Sequence, residues 1–251
     1  MVHRNAMSLK GNIGEILGPA VDLIYPPRCP LCGDAIAAQN GVCSECWAEL
    51  VIPSQPSCAA CQRPMQGKAV EEEMLCAPCI ASPPIHDGIA AATLYNEASR
   101  KLVLAFKHGR RIALAKMLAR QMAARLAGLE GEWLIVPVPL HRSRLWYRGF
   151  NQAALLAHEI APLIKQRLLV DGLLRRKRTT TLGGLGKKAR ERALAGSISV
   201  NKSRSRTIEN AEVILVDDVL TSGATSNACV AALKRSGARR VVISCYSRVL
   251  N

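Results

Sequence analysis

The chain has 251 residues, and its 34 lysines and arginines outnumber its 19 aspartates and glutamates, giving a formal net charge of +15. Its hydrophobic content of 49% excludes a chain that is disordered throughout and allows a sizeable buried core. No stretch of about 18 apolar residues occurs, so the sequence predicts no membrane span, and without a recognisable signal peptide we expect a cytoplasmic protein.

Charge and cysteine are unevenly distributed along the chain. Residues 1–85 contain five basic and eight acidic residues, whereas residues 86–251 contain 29 basic and 11 acidic residues. Eight of the ten cysteines lie between Cys29 and Cys79, and the turn-forming sequence SPPIHDG follows them. We therefore predict a helical lead over residues 1–25, a Cys-rich part over 26–85 and a body over 86–251.

The Cys-rich part contains four Cys-x-x-Cys pairs. Two thiolates separated by two residues on a tight turn can both face one ion, and two such turns complete a tetrahedral zinc site. The gaps between successive pairs suit short hairpins, as in a zinc ribbon, and we predict one or two structural Zn²⁺ ions. The predicted ligands are Cys29, Cys32, Cys43, Cys46, Cys58, Cys61, Cys76 and Cys79.

Other interpretations of these cysteines stay open at this stage. A disulfide framework would require a secreted chain. Sequential pairing keeps the loops short, but a cross-braced arrangement fits the spacing as well. The Cys-rich part is either a structural element that zinc folds or a docking surface for a partner. Cys229 and Cys245 lie in apolar segments and are predicted to be core residues.

From residue 88 the sequence alternates between strand and helix patterns. Such alternation predicts an α/β body with a mostly parallel sheet and helices on both faces, in which ligands bind beyond the carboxyl ends of the strands. The predicted elements, in chain order, are a strand at 88–95, helices at 100–108 and 112–128, a strand at 132–140, a helix at 151–168 containing Pro162, a strand, loop and helix over 211–237, and a last strand within 238–250.

The segment VILVDDVLTSGAT at 213–225 carries specific chemistry. Four apolar residues predict a buried parallel strand, with Asp217 and Asp218 at its carboxyl end. The following Thr/Ser/Gly turn leads into a helix, whose backbone N–H groups and dipole suit a phosphate. Two carboxylates beside a phosphate cradle suit the hydroxyls of a ribose, or a magnesium ion held near them.

This segment resembles the phosphoribosyl diphosphate (PRPP) motif of type I phosphoribosyltransferases. Together with the Cys-x-x-Cys pairs, the stretch AFKHGRR at 105–111 and the stretch PVPLHRSRLWYRGFNQ at 137–152, it resembles the ComF/GntX family over nearly the whole chain. That resemblance implies a type I phosphoribosyltransferase-like fold behind a double zinc ribbon. It also implies a role in natural transformation.

The resemblance further implies roles for individual residues. Asp217 and Asp218 would contact the ribose hydroxyls and Mg²⁺ bound with PRPP, and catalysis, if any, would depend on them. The remaining PRPP-binding candidates are Thr221, Ser222, Gly223, Ala224 and Thr225 for the 5′-phosphate, and His141, Arg144, Arg148 and Lys107 for the diphosphate. The two arginines are alternatively solvated surface residues, and the histidine is either a proton donor or a structural turn residue.

A basic segment begins at the end of the third predicted helix of the body. Residues 165–206 contain 13 basic and two acidic residues, more positive charge than one diphosphate requires, and this excess favours a nucleic acid as a second ligand. Within it, residues 173–200 resemble a segment of the family in which Leu182 and Ala193 replace polar residues, and the equivalent region of phosphoribosyltransferases is a flap over the active site. The nucleic-acid candidates are Arg175, Arg176, Lys177, Arg178, Lys187, Lys188, Arg190 and Arg192.

Three aromatic residues lie among the basic residues of the PVPLHRSRLWYRGFNQ stretch. Trp146, Tyr147 and Phe150 are either packing residues or stacking platforms for single-stranded bases, and packing is the favoured interpretation of Phe150.

Two functions compete on this sequence. In one, the chain binds PRPP and handles incoming single-stranded DNA, with the zinc ribbon docking a competence helicase or a recombination mediator. In the other, it is an active phosphoribosyltransferase that uses PRPP and an unidentified acceptor, in which positioning and charge stabilisation supply the catalysis.

Overall fold

The structure, a computed structural model, describes residues 26–66, 74–108, 111–176 and 196–250. The chain divides into two compact units, Met1–Ala48 and Glu49–Asn251, so the second half of the predicted Cys-rich part belongs to the larger unit. The predicted lead at 1–25 lies outside the described residues. Among the described helices, none has the length and apolar character needed to cross a membrane.

The Cys-rich part is built from two similar halves. In each half a Cys-x-x-Cys turn is closed by a short antiparallel bridge, and the second cysteine pair lies at or next to a five-residue helix, α1 (Ser44–Ala48) or α2 (Ala77–Ala81). The two bridges join Arg28 to Ala35 and Ser57 to Pro64. The same local hydrogen bonding therefore recurs in both halves, as expected for a repeated metal-binding turn.

The larger unit contains a five-stranded, fully parallel sheet and a two-stranded antiparallel sheet. The strands are β1 (Ile89–Leu94), β2 (Trp133–Pro137), β3 (Arg167–Leu168), β4 (Leu173–Arg175), β5 (Ile198–Val200), β6 (Glu212–Leu220) and β7 (Arg240–Arg248). The parallel sheet has the order β1-β7-β6-β2-β3, and β4 pairs with β5. Its central strands are almost wholly buried because their residues are apolar on both faces.

Helices connect and cover these strands. They are α3 (Glu97–His108), α4 (Leu114–Ala124), α5 (Arg142–Arg148), α6 (Gln152–Leu163), α7 (Ser205–Ile208) and α8 (Ala224–Arg235), with one 3₁₀ turn at Lys202–Arg204 before α7. The predicted α/β class, with a mostly parallel sheet and helices, is confirmed.

The strand order creates a switch point in the sheet. From β2 the chain crosses through α6 to β3 on one side, whereas from β6 it crosses through α8 to β7 on the other side. Parallel crossovers are right-handed, so connections that run in opposite directions place their helices on opposite faces. The loops after β2 and β6 therefore diverge and open a crevice between them, where ligands bind in open parallel sheets.

The edge strand β1 is covered by the chain that precedes it. The N–H group of Ala91 donates to the side-chain Oε1 of Gln62, in the second Cys-x-x-Cys turn, at 2.8 Å. The N–H group of Leu94 donates to the carbonyl oxygen of Val51 at 2.7 Å. An edge strand exposes unpaired backbone groups, and these two contacts satisfy part of that edge.

Three details differ from the sequence predictions. The helix predicted at 151–168 ends at Leu163, because Lys165 adopts a left-handed conformation and the chain then forms β3. The short strands β3, β4 and β5 were not predicted, and their two or three residues are too few to show a periodicity. Strand β6 continues through both aspartates to Leu220, whereas the sequence placed them at its end. Cys229 and Cys245 are confirmed as core residues, since both are fully buried.

Candidate functional site at the sheet switch point

A cavity of about 350 Å³ lies at the crevice between the ends of β2 and β6. Its walls come from the end of β1, from α3, from the turn after β2, from α5 and the start of α6, from β4, and from the segment that joins β6 to α8. Its charged lining consists of Lys107, Arg144, Arg148, Arg175, Asp217 and Asp218. Most of the predicted PRPP residues thus converge on one cavity, although they are spread over more than 110 residues of sequence.

The two aspartates point to different faces because successive strand residues alternate. Asp217 accepts hydrogen bonds from the N–H group of Asp218 at 2.9 Å and from Ser226 Oγ of α8 at 3.4 Å. Burial, together with the negative charge of Asp218, raises the pKa of Asp217 to about 7, against the opposing effect of Lys107. Asp217 is thus a carboxyl group whose charge the folded chain disfavours until a cation or a hydroxyl ligand compensates it.

Asp218 forms the ion pair of the cavity. Its Oδ2 lies 2.9 Å from Lys107 Nζ, and its Oδ1 accepts a hydrogen bond from the N–H group of Val219 at 2.7 Å. Asp218 is 9% exposed, so the pair is shielded from solvent. Lys107, a residue of α3, is thereby held beside the end of β6 and provides one of the cations of the cavity.

The turn between β6 and α8 has the geometry expected of a phosphate cradle. Gly223 has φ of 73°, a left-handed conformation that glycine adopts without steric cost, and α8 begins directly after it. The N-cap residue is this glycine, so no N-cap side chain accepts a hydrogen bond at the helix start. Thr221 and Thr225 line the cavity on either side of the turn, while Ser222 and Ala224 complete it.

Three arginines reach the cavity from two elements. Arg144 and Arg148 lie one helical turn apart on α5, and Arg148 Nη1 donates to Gln152 Oε1 at 3.2 Å. Arg175 comes from β4, which the sequence assigned to the nucleic-acid segment and not to this cavity. Burial, together with the positive charge of Arg144, lowers the pKa of Arg175 from its ordinary value. Two guanidinium groups that repel each other in this way form a favourable site for a multivalent anion.

His141 has a structural contact. Its Nδ1 caps α5 by accepting from the N–H group of Ser143 at 3.2 Å, and it lies 2.8 Å from Ser143 Oγ. It lines a second cavity, of about 390 Å³, together with Arg142, Arg175 and Arg176. Arg175 therefore belongs to both cavities, as do Pro139 and Leu140 of the turn after β2.

The three aromatic residues of this region differ in environment. Phe150 packs against Phe106, with ring centroids 6.2 Å apart. Trp146 and Tyr147 are 93% and 87% exposed, which makes them the most exposed large hydrophobic residues in the described part of the chain. Packing therefore accounts for Phe150 but not for the other two.

Each half of the Cys-rich part brings four sulfurs together. The Sγ atoms of each set lie within 4.8 Å of one another, and the sets are Cys29, Cys32, Cys43 and Cys46, and Cys58, Cys61, Cys76 and Cys79. The structure thus has the sequential pairing, not the cross-braced one. Tetrahedral zinc with Zn–S bonds of about 2.3 Å requires sulfurs about 3.8 Å apart. Cys32 and Cys43 are 3.6 Å apart and Cys61 and Cys76 are 3.5 Å apart, so both sets fit the ion.

Backbone groups favour the thiolate form at one cysteine of each set. Burial by itself raises the pKa of Cys29, but the N–H groups of Cys32 and Cys43 lower it to about 6. Burial likewise opposes ionisation of Cys58, but the N–H groups of Cys76 and Cys61 lower its pKa to about 7. Zinc binds thiolates, so each set contains one cysteine whose zinc-binding form the backbone N–H groups stabilise.

The structure describes two of the eight predicted nucleic-acid residues. Arg175 and Arg176 are described and line the cavities at the switch point. Lys177, Arg178, Lys187, Lys188, Arg190 and Arg192 lie outside the described residues, as do Leu182 and Ala193.

One wall of the first cavity was missed by the sequence analysis. Tyr95, Val103 and Leu104 contribute an apolar part to its lining. Tyr95 is 39% exposed and Leu104 is 38% exposed. Their only signal in the sequence is position, since Tyr95 directly follows the end of β1 at the ligand-binding edge of the sheet.

Comparisons with known proteins agree with this architecture. Residues 20–83 match the double zinc ribbon domain family. The chain is 31% identical over 223 residues to competence protein F of Haemophilus influenzae, covering 86% of this chain and 94% of that protein. It is 31% identical over 235 residues to DNA utilization protein YhgH of Salmonella typhimurium, covering 91% of this chain and 100% of that protein.

A solved structure, that of the allosteric regulatory enzyme of purine biosynthesis, is 20% identical and covers 52% of this chain and 25% of its own, with a TM-score of 0.34. At that TM-score the likeness adds little to the fold, which rests on the strand order.

Proposed function

This chain belongs to the family of competence protein F and DNA utilization protein YhgH, and from that membership we propose that it binds PRPP at the switch-point cavity and handles single-stranded DNA in the cytoplasm during DNA uptake. One observation carries the PRPP part of this proposal. Four cationic and two anionic side chains converge on a cavity beside an uncapped helix start that follows a left-handed glycine. That combination suits a ligand with a phosphate, a diol and a diphosphate.

The chemistry of PRPP divides among the walls of the cavity. The turn from Thr221 to Thr225, which leads into α8, holds the 5′-phosphate, because its N–H groups and the helix dipole favour an anion there. Asp217 and Asp218 accept hydrogen bonds from the ribose hydroxyls. Arg144, Arg148 and Arg175 neutralise the diphosphate, and Lys107 contributes a further cation after it leaves its pair with Asp218.

Magnesium would enter with PRPP. Asp217 and Asp218 are the residues that would hold it, since Mg²⁺ prefers one or two carboxylates together with phosphate oxygens. Bound there, it would offset the charge of the diphosphate. Zinc at the two four-cysteine sites would be structural and would not bind PRPP, because cysteine occupies all four tetrahedral positions.

Calorimetric titration of PRPP in the presence of Mg²⁺ tests the site. We expect Asp218→Asn and Arg144→Ala each to weaken binding by about tenfold or more, since each removes a charged contact from a shielded cavity. Asp171→Asn is the matched control, because Asp171 is a surface carboxylate paired with Arg204 and lines no described cavity wall of this site. Equal PRPP affinity in Asp218→Asn and Asp171→Asn would contradict the proposal.

A transformation assay tests the proposed role in DNA uptake. A transformable strain that lacks the gene is complemented with wild-type chain or with Asp217→Asn/Asp218→Asn. We expect transformation to require the gene and to fall with the double substitution. Normal transformation without the gene would overturn the DNA-uptake role, even where PRPP binds in calorimetry.

A specific observation also favours the enzyme as a second candidate. The apolar wall of Tyr95 and Leu104 faces the same cavity as Asp218, which leaves room for a planar or amine acceptor beside the ribose site. Release of diphosphate from PRPP in the presence of an acceptor panel measures this activity. PRPP binding without release across the panel leaves the binding function as the one supported.

The zinc ribbon is the proposed docking surface for a competence helicase or a recombination mediator. Ile80, in helix α2 beside the second four-cysteine site, is 66% exposed, an apolar residue on a surface that packing within the chain does not cover. A purified helicase that binds wild-type chain and Ile80→Asp equally would count against docking at this point.

A further inference from the structure

Helix α5 has two faces with different environments. Arg144 and Arg148 are half-buried and line the switch-point cavity, whereas Arg142, Trp146 and Tyr147 are exposed. None of the seven residues of α5 is buried. Exposing two large aromatic rings on so short a helix contributes nothing to the core of the described chain, and an exposed apolar patch of this kind marks an interaction site.

The charge around this aromatic pair identifies the chemistry of its ligand. Helix α5 contains three arginines and no acidic residue. The second cavity is lined by Arg142, Arg175 and Arg176, and no acidic residue is found in its described lining. Arg176 is held in place because its Nε donates to Ser199 Oγ at 2.9 Å. Arg142 precedes Trp146 by one turn of α5, so this basic lining begins on the helix that carries the exposed rings.

Aromatic rings beside a row of arginines match a single nucleic-acid strand. Unpaired bases stack on aromatic faces while the phosphates follow the positive groove, whereas in a duplex the bases are already stacked and paired. We propose that Trp146 and Tyr147 form a stacking surface for the bases of single-stranded DNA, whose phosphates pass along Arg142 and Arg176. This inference rests on the DNA-handling part of the proposed function and assigns it to a place on the fold.

The position of α5 also joins this surface to the PRPP cavity. Exposed and cavity-lining residues alternate along α5. A DNA strand bound to the exposed face is therefore separated by the helix from a ligand in the switch-point cavity. DNA and PRPP therefore occupy separate surfaces of the same turn, and the two ligands can be measured independently.

Binding of fluorescein-labelled oligo(dT) to the full-length, zinc-loaded chain tests the stacking surface. We expect Trp146→Ala/Tyr147→Ala to weaken oligo(dT) binding by about tenfold or more, since stacking is lost at two positions. Trp146→Phe/Tyr147→Phe retains two rings and should recover most of the affinity. Leu163→Ala is the control. It removes a half-exposed apolar side chain that lines neither cavity, and it should leave the affinity for oligo(dT) unchanged.

Salt dependence and fluorescence separate stacking from charge. Arg142→Gln/Arg176→Gln should reduce the slope of log K against log salt by about 1.4, at about 0.7 per phosphate contact on a single strand. In a Trp47→Phe background the remaining tryptophans are buried Trp133 and exposed Trp146, so oligo(dT) should quench the emission of Trp146. A structural role for Trp146 would not produce that quenching.

Three results would overturn the inference. It fails if the double alanine variant binds oligo(dT) as wild type does, or if duplex DNA binds equally well with the same dependence on both rings. It also fails if the alanine variant changes only self-association, measured by sedimentation, which would make the rings a contact between copies of the chain. Absence of PRPP binding in wild type, with the ring-dependent oligo(dT) binding intact, would overturn the PRPP site and leave the stacking surface standing.

Discussion

Asp217 and Asp218 are neighbours in sequence and yet belong to different environments. Asp218 is paired with Lys107 of α3, whereas Asp217 contacts Ser226 of α8. The alternation of side chains along a strand directs them to opposite faces, and the sheet carries helices on both. Asp218 is therefore ion-paired with a lysine, while Asp217 accepts hydrogen bonds from a hydroxyl and an N–H group.

This difference predicts a pH dependence of stability. Burial and the charge of Asp218 raise the pKa of Asp217 from 3.8 to about 7. The folded chain then binds one proton more than the unfolded chain between pH 4 and 7, so ionisation of Asp217 makes the fold progressively less stable as the pH rises through that window. Above pH 7 this destabilisation is complete.

We expect Asp217→Asn to abolish this pH-dependent loss of stability. The gain in Tm over wild type should be small near pH 4 and should grow to several degrees at pH 8, since about 1 kcal/mol shifts the Tm of a chain of this size by about 2–4 °C. Asp171→Asn serves again as control. A gain that is the same at pH 5 and pH 8 would show that the carboxyl of Asp217 titrates normally.

At the scale of elements, the turns that begin at Cys29 and Cys58 share a backbone conformation but differ in the residue that adopts it. Gly33 and Gln62 each lie four residues after the first cysteine of their pair, and both have a positive φ, 87° and 55°. Glycine accommodates this conformation readily, but a glutamine there is unfavourable. Its side chain accepts the hydrogen bond from the N–H group of buried Ala91, so the second turn carries a contact to β1 that a glycine could not make.

Replacement of Gln62 measures what this contact contributes. Gln62→Ala should lower the Tm by several degrees, because it leaves a buried N–H group without its acceptor at a cost of about 1–3 kcal/mol. Gln62→Glu retains an oxygen at the same position and should lose less. Differential scanning calorimetry compares the two variants. A Tm for Gln62→Ala equal to that of Gln62→Glu would mean that the hydrogen bond to β1 contributes nothing measurable.

At the scale of the whole molecule, the chain divides between its two metal sites. The first four-cysteine site lies in the unit Met1–Ala48, whereas the second lies in Glu49–Asn251 with the parallel sheet. The cysteines of the second site belong to one buried cluster with Ile89 and Ala91 of β1 and with residues of the central strands. Zinc at that site therefore supports the core that also positions the switch-point cavity.

Loss of either metal should consequently have different effects. Cys29→Ser should leave the unfolding of the body almost unchanged while reducing bound zinc by about one ion per chain. Cys76→Ser should remove the other ion and lower the main Tm by several degrees or more, because it leaves its partners in the buried cluster without their ligand. Zinc analysis with far-UV circular dichroism measures both. An equal fall in Tm in the two variants would contradict the division.

Sequence reasoning reached the outline of this protein because its strongest signals are local. Four Cys-x-x-Cys pairs, a run of buried strand residues before Asp217 and a glycine at a helix start each depend on neighbours along the chain. The same reasoning missed β3, β4 and β5, whose two or three residues have no periodicity of their own. It also placed Arg175 with the flap and overlooked Tyr95, because their roles depend on strands that are distant in sequence.

The sequence by itself determined the class of the fold, the two sets of four cysteines and most of the charged residues that line the switch-point cavity, since these signals depend on spacing and residue type along the chain. The tertiary structure decided which of these meet. The reversal of strand order between β2 and β6 brings Lys107, Arg144 and Asp218 to one cavity. Phe150 packs against Phe106, whereas Trp146 and Tyr147 are exposed, and this difference among three aromatic residues of one short segment depends on the tertiary fold.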